Sequence, residues 1–164
     1  MRTSRLAWAS LALLLPTRSD ACSCAWTGPF LTVAPRAELI IRAKVTGYHG
    51  RQRGIDLAMD AGVIEVLKGS SRTSRLRIWG DNGAQCRPYV SAFPIGSEWI
   101  LAVNRLREQN GPEDYFLSAC GEYWARVDKG KVVGRLTSPA PPGAHDKPES
   151  MDLDQVRQRL RAIR

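Results

Sequence analysis

Four cysteines, Cys22, Cys24, Cys86 and Cys120, constrain this chain more than any other feature of its sequence. In an extended segment, side chains two apart project from one face with too little slack to bond each other without strain. If the cysteines form disulfides, Cys22 and Cys24 must therefore each reach either Cys86 or Cys120, and the N-terminus is stapled to the body. Bridges that close loops this long each contribute about 4 to 5 kcal/mol in the chain-entropy description, less where the loops overlap. A zinc site built from the same four thiols is the competing reading, but the spacing lacks the paired Cys-x-x-Cys knuckles of structural zinc sites.

The residues before Cys22 decide between the two. Arg2 and Arg5 precede an apolar run from Leu6 to Leu15, and a polar stretch then ends in Ser19, Asp20 and Ala21, with small residues at the −3 and −1 positions of a signal-peptidase site. Residues 1–21 read as a cleavable signal peptide, so the working protein is expected to begin at Cys22 and to be secreted or periplasmic, where disulfides persist. The apolar run is half the length of a membrane-spanning helix, and no later stretch approaches the roughly 20 residues needed, so no transmembrane segment is expected. Lipidation at Cys22 is a minor alternative, because Ser19 stands where a lipoprotein box carries an aliphatic residue.

Taking the leader from the 164 residues leaves 143, enough for one domain with a single core. The leader carries Arg2, Arg5, Arg18 and Asp20, so the formal charge falls from +8 to +6. A basic surface outside the cytoplasm implies solubility or weak attraction to anionic polymers, and no nucleic-acid partner is expected.

Period-two alternation marks the strands. Leu39, Ile41, Ala43 and Val45 alternate with Glu38, Ile40, Arg42 and Lys44, giving a strand with one buried face that ends at Gly47. Further strands read over 59–67, 75–79, 99–103 and 115–119, and residues 123–133 fold back on themselves around Asp128, Lys129 and Gly130. Five or six short strands imply a mainly β barrel or sandwich. The stretches 47–56, 80–96 and 105–114 read as surface loops. After residue 136 comes a proline-rich spacer, 137–150, and then Leu153, Val156, Leu160 and Ile163 recur at helical spacing. A C-terminal amphipathic helix over 151–164, packed on the barrel, is expected.

Enzyme signatures are scarce. There is no GxSxG elbow, HExxH pair or phosphate-cradling loop, and the two histidines, His49 and His145, fall in loop-like contexts. The chain reads as a non-enzyme, with no cofactor expected. Its unusual feature is the mature terminus, Cys22-Ser23-Cys24. An α-amine titrates near about pH 8, so part of it is unprotonated at neutral pH, and with the carbonyl oxygen of the same residue it forms a five-membered metal chelate. A zinc protease keeps one coordination position open for water. A rigid Cys22 would displace that water while Ser23 enters the adjoining pocket.

These residues resemble the N-terminal domain of the tissue inhibitors of metalloproteinases, a netrin-like OB-fold barrel. The likeness lies in Cys-x-Cys directly after the leader, Glu38 to Gly47, Glu65 to Gly69, Cys86 in its long loop, Glu98 to Ala102, and Leu117 to Cys120, and it spans residues 22–127. It implies a five-stranded OB-fold-like barrel over residues 22–136, with Cys22 paired to Cys86 and Cys24 to Cys120. It further implies an inhibitory ridge of Cys22, Ser23, Cys24, Ala25, Ala84, Gln85 and Arg87, and zinc chelation in trans by Cys22 of a monomeric inhibitor on a zinc metallopeptidase. The chain departs from the family in lacking a third disulfide and a separate C-terminal domain, and in reading Ala25 to Pro29 where the family is proline-rich. The alternative is a non-inhibitory exported module that binds protein or polysaccharide in the cell envelope, the Cys-x-Cys serving as a staple. An oligosaccharide or single-strand groove of that kind would draw on Trp79, Trp99, Tyr115, Tyr123 and Trp124.

Overall fold

The strand that the alternation places at 37–47 is longer than that: β1 spans Leu39–Gln52 and returns as β2, Ile55–Lys68. The computed structural model describes residues 24–106, 114–139 and 147–162. The expected signal segment, with Cys22 and Ser23, lies outside them, as do His145, Ile163 and most of the expected 105–114 loop. Between β1 and β2 the chain reverses through Arg53 and Gly54, both with positive φ (50° and 82°), the two-residue turn whose twist matches that of the flanking strands. The polar composition of 47–56 belongs to a hairpin, exposed at the end of β1 and half-buried at the start of β2, and not to a loop.

β3 (Arg75–Trp79), β4 (Glu98–Arg105) and β5 (Asp114–Phe116) complete a ring of five strands. β1 pairs β2, β2 pairs β3, β3 runs parallel to β5, β5 pairs β4, and β4 returns antiparallel to β1. Register shifts along β1 at Ile40/Ile41, Arg42/Ala43 and Val45/Gly47 add local twist, which lets one strand serve both neighbours and close the ring. From β4 the sheet continues outward through β6 (Trp124–Asp128), β7 (Lys131–Gly134) and β8 (Glu149–Asp152). The expected reversal at Asp128 is present, with Lys129 and Gly130 both at positive φ. β8 takes the last two residues of the expected proline-rich spacer and the first two of the expected terminal helix.

Two cores result. Leu39, Ile41, Ala43 and Val45 point into the ring with Met59, Leu76, Ile78, Leu101, Val103, Tyr115 and Phe93. The opposite face of β1 was expected to be polar, yet Ile40 is as buried as its neighbours. It belongs to an outer core with Ile100, Phe30, Val132 and three residues of the terminal helix. That helix, α2 (Leu153–Arg161), buries Leu153, Val156 and Leu160, the stripe read from the sequence. Arg157 on its flank donates through Nε and Nη2 to Glu65 Oε2 at 3.1 and 2.6 Å. A single helical turn, α1 (Phe30–Val33), supplies Phe30 to the same core and is tied down by Phe30 N–H to the Arg135 carbonyl and Leu31 N–H to the Leu136 carbonyl. Among the described residues no helix is long and apolar enough to cross a membrane.

Candidate functional site

Cys24 and Cys120 form a disulfide with their Cα atoms 5.6 Å apart, closing a sequence separation of 96. Cys86 is also disulfide-bonded, and the described residues contain no free cysteine. Cys22, which the family resemblance pairs with Cys86, lies outside the described residues, as does Ser23. The sulfur atoms of Cys24, Cys86 and Cys120 all lie within 4.8 Å of one another. That spacing would suit a thiolate metal site, but sulfurs taken up in disulfides carry no thiolate to offer a metal.

The segment around Cys120 organises the staple. Its carbonyl accepts both the backbone N–H and the hydroxyl of Thr27, each at 2.6 Å. Ala119 N–H donates to the Cys86 carbonyl at 3.0 Å, and Glu122 N–H to the Gly28 carbonyl at 3.1 Å. The chain thus passes between the N-terminal segment and the Cys86 loop and binds both. Gly121 permits that approach, because a Cβ there would stand 2.6 Å from the Thr27 hydroxyl and 3.2 Å from a Val33 methyl.

The loop itself is held from within. Asp81 Oδ1 accepts the N–H groups of Gly83, Ala84 and Gln85 at 2.9, 3.1 and 2.8 Å, and Gly83 takes a positive φ of 94°. Arg87 N–H closes back on the Gln85 carbonyl at 2.8 Å. Ala84 and Gln85 are exposed on this turn, while Arg87 is half-buried with its guanidinium 5.0 Å from the Phe116 ring centre. Of the expected ridge residues, the structure holds Cys24 beside the Cys86 turn that carries Ala84, Gln85 and Arg87, with Ala25 exposed next to it. Sequence reasoning missed the role of Asp81. Its signal was the turn-forming run Asp81, Asn82, Gly83, in which a carboxylate bonds the backbone just ahead of it.

A cleft of about 350 Å³ opens against this loop, lined by Leu57, Trp79, Gly80, Asn82, Gln85, Arg87, Leu106 and Asp114. A second of about 400 Å³ shares Gln85, Arg87 and Leu106 and includes Asn104 and Phe116. Of the five aromatics considered for a ligand groove, Tyr115 is buried in the inner core and Trp99, Tyr123 and Trp124 pack against it, whereas Trp79 lines the first cleft. His49 is exposed, its ring edge-on to Trp79 at 6.4 Å between centres.

Two carboxylates near the end of the sheet are perturbed in opposite directions. Burial raises the pKa of Glu122 above its ordinary 4.5, against the opposing pull of Arg135, whose Nε stands 3.7 Å from it. At Glu149 burial also acts to raise the pKa. Bonds from the Thr137 hydroxyl and from the amides of Thr137, Ser138 and Leu136 together outweigh it and hold the group below 4.5.

The chain matches no protein-family model and no curated protein.

Proposed function

We propose that this chain is an exported inhibitor of zinc metalloendopeptidases, a monomer built on a netrin-like OB-fold barrel, and that it is not an enzyme. The barrel reading draws on the closed order β1-β2-β3-β5-β4 with its single parallel pair, β3 with β5. The observation that carries the functional reading is the Cys24–Cys120 disulfide, which fixes the N-terminal segment at Cys24 beside the turn bearing Ala84, Gln85 and Arg87, the sulfurs of Cys24, Cys86 and Cys120 lying within 4.8 Å of one another. A terminus immobilised there loses little conformational freedom on entering a protease cleft, so more of the contact energy appears as affinity.

On this reading the leader is removed after Ala21. The α-amine and carbonyl oxygen of Cys22 then chelate the protease zinc in place of its water, and the chelate forms best where the amine is unprotonated. Ser23 enters the pocket beside the metal. Cys24, Cys86 and Cys120 hold the wedge, and Ala25, Ala84, Gln85 and Arg87 flank it as the rest of the contact surface.

Intact mass of the exported protein, with and without reduction, tests the premise, because it reports the first residue, any acyl group and the number of disulfides together. A mass beginning at Cys22 with two disulfides and no modification is expected. An acylated or differently cleaved terminus removes the chelating amine and leaves the Cys-x-Cys as the staple of a binding module. Replacing Cys86 with serine is expected to loosen the wedge and weaken inhibition, and undiminished inhibition by that variant contradicts the rigid-wedge account.

A further inference from the structure

The sulfurs of Cys24, Cys86 and Cys120 lie within 4.8 Å of one another, although a disulfide joins only two. Cys24 is bonded to Cys120, and Cys86 is engaged in a bridge of its own. Thiol–disulfide exchange needs a thiolate within reach of a disulfide sulfur. This arrangement supplies one as soon as either bridge is opened. The backbone also prepares one exchange product. Ala119 N–H donates to the Cys86 carbonyl at 3.0 Å, so the residue before Cys120 is held to Cys86 by a contact in which the N-terminal segment takes no part. Cys24, in contrast, belongs to that segment and is exposed, whereas Cys86 and Cys120 are half-buried.

We propose that the staple is a redox switch: when a dithiol opens one bridge, the remaining bridge passes to Cys86 and Cys120, and Cys24 is released with the segment that carries it. The dithiol gives up two electrons and closes to its own disulfide, leaving Cys86 and its partner as thiols. The Cys86 thiolate then attacks the Cys120 sulfur. The Cys86–Cys120 bond forms, the Cys120–Cys24 bond breaks, and its electron pair leaves on Cys24, which takes a proton from water. Cys24 is the better leaving group, because a thiolate at an exposed position is hydrated. If the dithiol opens Cys24–Cys120 first, the Cys120 thiolate attacks Cys86 and reaches the same product. That product is favoured because it joins two residues already tied through the backbone and returns conformational freedom to residues 24–26. The release stops at Thr27, whose two bonds to the Cys120 carbonyl involve no sulfur. On the pairing proposed above the partner of Cys86 is Cys22, so the switch frees both cysteines of the Cys-x-Cys and disables the wedge; its consequence for inhibition rests on that reading.

The test is disulfide mapping of the exported protein by mass spectrometry, before and after limiting dithiothreitol at about pH 8, where part of a thiol population is ionised. The reaction is quenched with acid and freed thiols are capped with N-ethylmaleimide. In the one-disulfide species Cys86–Cys120 is expected to outnumber Cys24–Cys120 by about tenfold, the factor that corresponds to the freedom regained by one residue, with Cys24 capped. Cys22→Ser, equilibrated in a glutathione buffer, is expected to show the same preference without a reductive step. Protection of the Ile100 and Leu101 amides from hydrogen exchange establishes that each species is folded. Predominance of Cys24–Cys120, or of Cys24–Cys86, in either the one-disulfide parent or Cys22→Ser would overturn the proposal. No protease enters these measurements, so failure of the switch is distinct from failure of the inhibitory reading. The map of the untreated protein reports separately whether Cys22 pairs with Cys86, as that reading requires.

Discussion

Thr27 holds the carbonyl of Cys120 twice, with its backbone N–H and with its hydroxyl, each at 2.6 Å. The contact places the N-terminal segment across the residue that anchors its own disulfide. It is possible because Gly121 leaves room, and Gly121→Ala is expected to push Thr27 aside and destabilise the protein by about 1 to 3 kcal/mol through overpacking. Hydrogen exchange at the Thr27 amide, measured with a denaturant unfolding curve, checks this. Parent-like protection at Thr27 contradicts it.

Removing the disulfide that this contact supports should cost more. Cys24→Ala with Cys120→Ala opens a loop of sequence separation 96, and the chain-entropy description assigns such a loop about 4 to 5 kcal/mol before allowance for the overlapping bridge at Cys86. Urea unfolding of the double variant is expected to show a loss of about 3 to 5 kcal/mol. A loss below about 1 kcal/mol would mean that the hydrogen bonds around Cys120 fix the segment without the sulfur bridge.

Glu122 predicts a pH dependence with a definite sign. Its folded pKa lies above 4.5 because burial outweighs the attraction of Arg135. The stability its protonated form supplies is therefore fully present below the unfolded value and is lost as pH rises through the folded one. Glu122→Gln cannot ionise, so its stability relative to the parent is expected to improve from about pH 4 to about pH 7. Unfolding curves at both pH values test this, and a constant or falling difference contradicts the assignment.

Much of the β architecture was legible because local pattern and long-range packing agree. β3 lies over the residues read from the alternation of Leu76 and Ile78, and the reversal at Lys129 and Gly130 follows from turn chemistry that needs positive φ. The outer half of the β1–β2 hairpin was hidden because its β1 side chains, from His49 to Gln52, are exposed and those of β2, from Ile55 to Leu57, are half-buried without alternation, so hydrophobic periodicity carries no trace of it. Ile40 misled for a different reason: its face is covered by Phe30 of α1 and by α2, more than a hundred residues further along the chain, and the alternation of β1 itself does not encode that cover. β8 was obscured by the prolines before it; what fastens this stretch to the turn at 136–138 is Glu149, which accepts three backbone N–H groups. At the candidate site the cysteines stood out at once. Trp79 and Asp114 did not, since only the parallel pairing of β3 with β5 brings them to one cleft.

The most direct measurement is inhibition of zinc metalloendopeptidases by the exported protein with its α-amine free and after selective N-terminal acetylation. Chelation through that amine predicts that the free form inhibits at least one such enzyme and that acetylation abolishes inhibition while leaving fold and disulfides intact. Equal inhibition by the two forms, or none by the free form, would contradict it.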